Sequence, residues 1–209
     1  MGTIQTCILL CILAYLIGSI PSAVWIGKAF YGIDVREHGS GNAGTTNTIR
    51  VLGTKPGIVV FAIDMLKGML AVSMIKLFQI APESNLFINT QLLLAVFAVL
   101  GHIFPLYAQF RGGKGVATIL GGVFAFMPFE ALCCLVIFIV ILSLTRYVSL
   151  GSMIGGLCFP LLTIFIFKEP IQCIIFSIMV GMLLIATHKK NIVRLINKEE
   201  NKFSFKKSV

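Results

Sequence analysis

Seven apolar runs, at about 4–27, 57–79, 86–109, 116–127, 129–145, 149–167 and 171–188, take up most of this chain. Several approach or exceed the roughly 20 residues a helix needs to cross the hydrocarbon core of a bilayer. A soluble fold of 209 residues has no interior able to hide so many continuous apolar stretches from water. Charged residues make up only 12% of the chain, against about 25% in soluble proteins, and the mean hydropathy is +0.98. The pattern predicts an all-α, polytopic integral membrane protein with seven transmembrane helices. The fourth run is too short to cross alone, and Pro128 and Glu130 separate it from the fifth. A short helix packed against its neighbours is expected there.

Charge placement sets the orientation. No basic segment precedes the first run, and Lys28 and Arg36 follow it. It therefore reads as a retained span rather than a cleaved signal peptide, with the N-terminus outside. Seven passes then place residues 28–56, 110–115, 146–148 and 189–209 in the cytoplasm. These segments hold fourteen of the 17 Lys and Arg residues. Lys67 and Lys76 fall within or at the end of the second run, which leaves only Lys168 outside. Glu83, Glu130 and Glu169 lie on the opposite side. The whole chain, 1–209, is expected to be one membrane domain, with residues 198–209 as a short solvated cytoplasmic tail. All six cysteines sit inside apolar runs without metal-site spacing, so no disulfide or zinc site is assigned.

This topology puts three polar segments on the cytoplasmic face. "GSGNAGTTNTIR", Gly39–Arg50, combines three glycines with the donors Ser40, Asn42, Thr45, Thr46, Asn47 and Thr48. Arg50 supplies a planar fork able to grip a phosphate with two parallel N–H bonds. "RGGKGVAT", Arg111–Thr118, places Gly112, Gly113, Lys114 and Gly115 just before a helix start. Glycines there let backbone N–H groups approach an anion, and the helix dipole favours negative charge. The spacing is not that of a Walker A loop. "HKKNIVR", His188–Arg194, sets His188 and Asn191 at i and i+3 on one face, provided that the seventh helix continues past the bilayer. His102, near the cytoplasmic half of the third run, is either packing or active-site support.

Asp64 and Lys67 lie three residues apart within the second run. Intramembrane charges are costly unless paired, so a mutual ion pair that positions the helix is expected. Asp34 and Glu37 read as solvated loop charges. His102 and His188 lack a carboxylate or Cys partner at ligand spacing, so no metal is expected.

"GSIPSAVWIGK…VREHGSGNAGTTNTIRVLG", "GHIFPLYAQFRGGKGVAT" and "THKKNIVRL" closely resemble the three motifs of the bacterial membrane glycerol-3-phosphate acyltransferases that use acyl phosphate. The resemblance extends in order from about residue 15 to residue 195. It implies a seven-helix fold and transfer of a fatty acyl group from acyl phosphate to the sn-1 hydroxyl of sn-glycerol 3-phosphate, giving lysophosphatidic acid and phosphate. The family's catalytic positions fall on Ser40, Arg50, Lys114, His188 and Asn191. Gly112, Gly113 and Gly115 match its phosphate-contacting loop, and Asn42, Thr46 and His102 join them as substrate-binding candidates. The resemblance further implies a protein of the bacterial inner membrane, working among membrane lipids with its active site in the cytoplasm, and nothing in the sequence demands more than a monomer. No cofactor and no nucleic acid is expected. Two candidates stand for the base, a donor phosphate oxygen and His188, and the first is preferred. The rival function is a small anion transporter, disfavoured because the polar donors cluster on one face rather than at the midplane.

Overall fold

The computed structural model describes residues 3–78, 81 and 84–204, and all regular structure among them is helical. The chain divides into two compact units, the first running to Phe126 and the second spanning Met127–Ser204.

The first unit contains α1 (Thr3–Gly18), α2 (Ser22–Tyr31), α3 (Thr45–Leu52), α4 (Thr54–Ser73), α5 (Asn85–Ile103) and α6 (Val116–Phe126). The first apolar run is thus broken in two. Pro21 has no N–H to continue the ladder, and it disfavours helical geometry in the residue before it. The break leaves the Ile20 carbonyl where Lys67 Nζ of α4 donates to it at 2.8 Å.

Two helix pairs form the unit's framework: α1 packs on α5, and α4 packs on α6. Both crossings depend on glycine. A Cβ at Gly18 would collide with the Ala98 carbonyl, and one at Gly101 with the Tyr15 carbonyl. Gly68 and Gly121 play the same part between α4 and α6, against the backbones of Thr118 and Met65. Lipid tails are as apolar as leucine, so close backbone approach supplies the dispersion contact that holds such helices together.

Helix α4 is inverted relative to a soluble helix. Asp64 and Lys67 are buried, whereas Ile58, Leu66 and Leu70 are more than half exposed. That distribution is stable only where the outer face meets hydrocarbon.

The second unit contains α7 (Pro128–Thr145), α8 (Val148–Leu161), α9 (Ile171–Thr187) and α10 (Lys189–Ile196), with α8 packed on both α7 and α9. Pro160 removes a donor near the end of α8, and the chain loosens into a π-turn over Leu162–Ile166. The Phe167 N–H donates to Leu162 O at 2.9 Å, and a buried Thr163–Ser177 hydroxyl pair, also at 2.9 Å, ties this turn to α9. Helix α9 does not run straight on: the chain bends by 60° between Thr187 and Lys189, at His188.

Five segments are long and apolar enough to cross a membrane: Ile4–Tyr31, Thr54–Leu77, Asn85–Ala108, Pro128–Thr145 and Val148–Ile166. The bent pair Ile171–Thr187 and Lys189–Ile196 makes a sixth when it is counted as one span. Helix α6, with 11 residues, is short, as the fourth apolar run requires. The protein is a multi-pass membrane protein, and any seventh crossing rests on α6. Of the residues assigned to the outer face, Glu83 lies outside the described residues, as do Lys206 and Lys207 of the tail.

Candidate functional site

The first motif is a loop leading into α3, shaped by one side chain. Asn47, buried in the first turn of α3, donates through Nδ2 to Val35 O at 2.7 Å and His38 O at 3.1 Å. Its Oδ1 accepts the Ser40 N–H at 2.8 Å. Gly39 and Gly41 take φ of +61° and +72°, a region that residues with a Cβ enter only at a cost. Asn47, counted in the sequence as a donor for a ligand, is therefore spent on the loop. Thr48 is spent likewise, its hydroxyl bonding Gly44 O at 3.1 Å. What the loop presents outward is Ser40, exposed, with Asn42, Thr46 and Arg50 half-buried.

Asp34 corrects an expectation, because it is not a solvated loop charge. Its side chain is only 8% exposed and lies 2.7 Å from Arg36 and 3.2 Å from Lys28. Hydrogen bonds from the Arg36 guanidinium hold its carboxyl well below the usual carboxylate range, against the opposing effect of burial. Arg36 also donates through Nη1 to Ala108 O at 2.8 Å, which fastens the first motif to the segment just ahead of the second.

In the second motif, Gly112 and Gly113 do something other than cradle an anion with their own amides. The Gly113 N–H donates to His102 O at 3.1 Å and the Gly112 N–H to Ile103 O at 3.2 Å. The glycines are needed because the loop lies against the end of α5: a Cβ on Gly112 would strike the His102 carbonyl, and one on Gly113 would strike His102 Nε2. The same Cβ on Gly113 would lie 3.1 Å from Ala43 O, so the first and second motifs converge over His102. Gly115, at φ +83°, turns the chain into α6 and brings half-buried Lys114 to the start of that helix.

His102 is buried beneath this loop, at the head of a polar chain into the membrane region. Its Nδ1 is 3.6 Å from Asp64 Oδ1. The same oxygen pairs with Lys67 Nζ at 2.7 Å and accepts from Ser22 Oγ at 2.7 Å. The i, i+3 ion pair expected from the sequence is present. Its extension to Ser22 and His102 links α2, α4 and α5 directly under the second motif.

The third motif belongs to the second unit. His188 and Asn191 are both buried, in spite of the bend between α9 and α10. His188 Nδ1 is 2.7 Å from Leu184 O, a contact that requires the proton on Nδ1. Asn191 Nδ2 donates to Glu200 Oε1 at 2.7 Å, and Ser149 Oγ donates to the same oxygen at 2.8 Å. Glu200 Oε2 is 3.2 Å from Arg194 Nε. The start of the tail is thus docked rather than solvated, and Phe203 continues the attachment through its N–H to Arg146 O.

Several structural roles escaped the sequence reading. Arg36 and Asp34 carried a faint signal, since an Asp two residues before an Arg caps the turn that holds it. Ser149 and Glu200 carried none, because only the folding of α8 and the tail brings them to Asn191. Among the described residues no three His, Cys, Asp or Glu side chains gather as a metal site would require.

These features define a class: an all-helical, multi-pass membrane protein with polar motif segments at the ends of its helices. A family model described as glycerol-3-phosphate acyltransferase matches residues 8–198. The chain belongs to the glycerol-3-phosphate acyltransferase family, membrane acyltransferases of phospholipid synthesis. It is 46% identical over 198 residues to the glycerol-3-phosphate acyltransferase of Listeria monocytogenes, covering 95% of this chain and 97% of the relative. The corresponding protein of Fusobacterium nucleatum is 43% identical over 194 residues, covering 93% and 96%. Among solved structures it is similar to PlsY (YgiH), an integral membrane glycerol 3-phosphate acyltransferase, in its glycerol 3-phosphate form. That match has a TM-score of 0.86 at 38% identity and covers 95% of this chain and 96% of the other. The lysophosphatidic acid form matches with a TM-score of 0.83 at 37% identity, covering 96% of each chain.

Proposed function

We propose that this protein transfers a fatty acyl group from acyl phosphate to the sn-1 hydroxyl of sn-glycerol 3-phosphate, releasing lysophosphatidic acid and inorganic phosphate. The observation that carries the reading is the close structural likeness to an acyltransferase solved with glycerol 3-phosphate and with lysophosphatidic acid, the acceptor and product of one acyl transfer.

In the reaction the sn-1 oxygen attacks the acyl carbonyl carbon, the bond from that carbon to the phosphate oxygen breaks, and the hydroxyl proton leaves with the phosphate. Acyl phosphate is a mixed anhydride and already activated. The enzyme's task is therefore to hold two phosphates and one hydroxyl in attacking geometry. Ser40, Arg50 and Lys114 bind the phosphates, with Asn42, Thr46 and the Gly112–Gly115 turn around them. His188 and Asn191 orient the acceptor and steady the charge that develops on oxygen. With the amides of Gly112 and Gly113 already donated to α5, that turn acts on the anion through Lys114 and the start of α6.

A phosphate oxygen of the donor takes the proton. One observation favours His188 instead: the Leu184 carbonyl fixes the proton on Nδ1, so a neutral ring carries its lone pair on Nε2. Loss of turnover in His188→Ala with both substrates still bound normally selects the histidine. The chain works as a monomer of the bacterial inner membrane, with α6 completing seven helices, the N-terminus outside and the motifs in the cytoplasm. No metal takes part.

The test uses purified protein in detergent with labelled glycerol 3-phosphate. Label is expected to become lipid-soluble with palmitoyl phosphate and not with palmitoyl-CoA. Lys114→Ala and Arg50→Ala should each slow turnover by about a hundredfold or more, as loss of a charge-stabilising donor does. Equal turnover in all three proteins defeats the site assignment. In proteoliposomes, label that crosses without becoming lipid selects a transporter.

A further inference from the structure

We infer that His102 is a positioning residue: its imidazole, steered by Asp64 on one side, supports the Gly112–Gly115 turn on the other and so fixes where Lys114 stands. The inference rests on the reading that Lys114 meets a substrate phosphate.

His102 holds the turn twice. Its carbonyl accepts the Gly113 N–H at 3.1 Å. Its ring lies against the same residue, since a Cβ on Gly113 would collide with Nε2 and stand 3.1 Å from Cε1. The other ring nitrogen, Nδ1, is buried with no hydrogen-bond partner among the described residues and faces Asp64 Oδ1 at 3.6 Å. That is longer than a hydrogen bond, yet a carboxylate attracts an N–H strongly where water is excluded. Lys67 Nζ and Ser22 Oγ, each at 2.7 Å, hold this oxygen in place.

A carboxylate accepts and cannot donate, so it selects the tautomer and the ring orientation that turn an Nδ1–H toward Asp64. A ring rotated by half a turn would offer Cδ2 to the carboxylate instead. The selected orientation keeps the Nε2 edge against Gly113, one residue before Lys114. The buried ion pair of α4 is thereby linked to the second motif through a single side chain. Two rival roles exist for the ring, apolar packing and direct contact with substrate through Nε2. Each predicts a different order among variants.

The experiment measures kcat and KM for glycerol 3-phosphate, with palmitoyl phosphate as donor, in wild type, Lys114→Ala, His102→Phe, His102→Asn and His102→Gln. The double variant of His102→Phe with Lys114→Ala completes the set. His102→Phe keeps the ring's bulk and loses both nitrogens; kcat/KM should fall by roughly ten- to a hundredfold, the scale of a lost polar link to a charged group. In the Lys114→Ala background the same change should cost little more, because the ring acts through that lysine. His102→Asn places an amide nitrogen at the level of Nδ1 and should recover part of the turnover, whereas His102→Gln places one at the level of Nε2 and should not. If His102→Phe is not recovered folded, the order of the Asn and Gln variants decides. Full activity in His102→Phe overturns the inference and leaves packing as the ring's role. An undiminished further loss in the double variant overturns it too. A His102→Asn no more active than His102→Gln does the same, in favour of Nε2 touching substrate. Full activity in Lys114→Ala defeats the reading of Lys114 and this inference with it. A slow Lys114→Ala beside a fully active His102→Phe defeats the inference alone.

Discussion

Two carboxylates in the first unit make nearly the same contacts at different depths. Asp34, in the loop after α2, pairs with Arg36 and Lys28. Asp64, midway along α4, pairs with Lys67 and lies beside Ser22 and His102. Both are almost fully shielded by protein, and both sit beneath a motif loop. What differs is the surroundings. Near water, a broken Asp34 pair can be rehydrated, whereas around Asp64 the outer faces of the helices are apolar. The same ion pair is therefore a loop fastener in one place and a condition of assembly in the other.

Breaking the deep pair should have the largest effect. Removing one partner strands a charge, which costs about 3–5 kcal/mol for a buried pair. Lys67→Met is accordingly expected to abolish recovery of folded protein from detergent, judged by a monodisperse elution peak. The double change Asp64→Asn with Lys67→Met should restore part of it. If Lys67→Met alone is recovered with a wild-type melting temperature, the depth distinction fails.

Arg36→Ala comes next. It removes two charge-assisted bonds to Asp34 and the tie to Ala108 O, each worth about 1.5–3 kcal/mol at most. Folded protein should survive with a lower melting temperature and a raised KM for glycerol 3-phosphate, since the two motif loops lose a shared fastening. An unchanged KM would show that the loops hold without it.

Smaller still is a pH effect at Asp34. Its folded-state carboxyl is depressed, so its stabilisation is fully present above the unfolded value of about 3.9 and is lost as pH falls toward the lower folded value. The melting-temperature gap between wild type and Asp34→Asn should be constant from about pH 5 to 8 and close below about pH 4. A gap that widened on acidification would reverse the sign. The smallest change belongs to Lys28→Ala. That side chain is 58% exposed, and an exposed ion pair contributes about 0–1 kcal/mol.

Legibility in the sequence followed the range of the interaction. Lys67 is three residues from Asp64, a spacing that a helix turns into contact, so the pair could be read from the chain. Ser22 lies 42 residues from Asp64, and no local rule joins them. The glycines of "RGGKG" signalled close approach correctly, but the partner they approach is the end of α5, which only tertiary packing reveals. Asn47 looked like one donor among many because nothing in its neighbours marks it as the side chain that clamps the loop. The division of the first run at Ser19–Pro21 was missed since the apolar pattern continues through it. Pro21 was the one local signal.

The sequence by itself determined that this chain lives in a bilayer and roughly where its helices run. Those properties follow from hydropathy and composition, which act locally. Tertiary structure alone decided which polar groups are spent on the protein's own backbone, as with Asn47, Thr48 and the amides of Gly112 and Gly113. A hydrogen-bonding group commits to whatever the fold brings within about 3 Å, and that neighbour can lie anywhere along the chain.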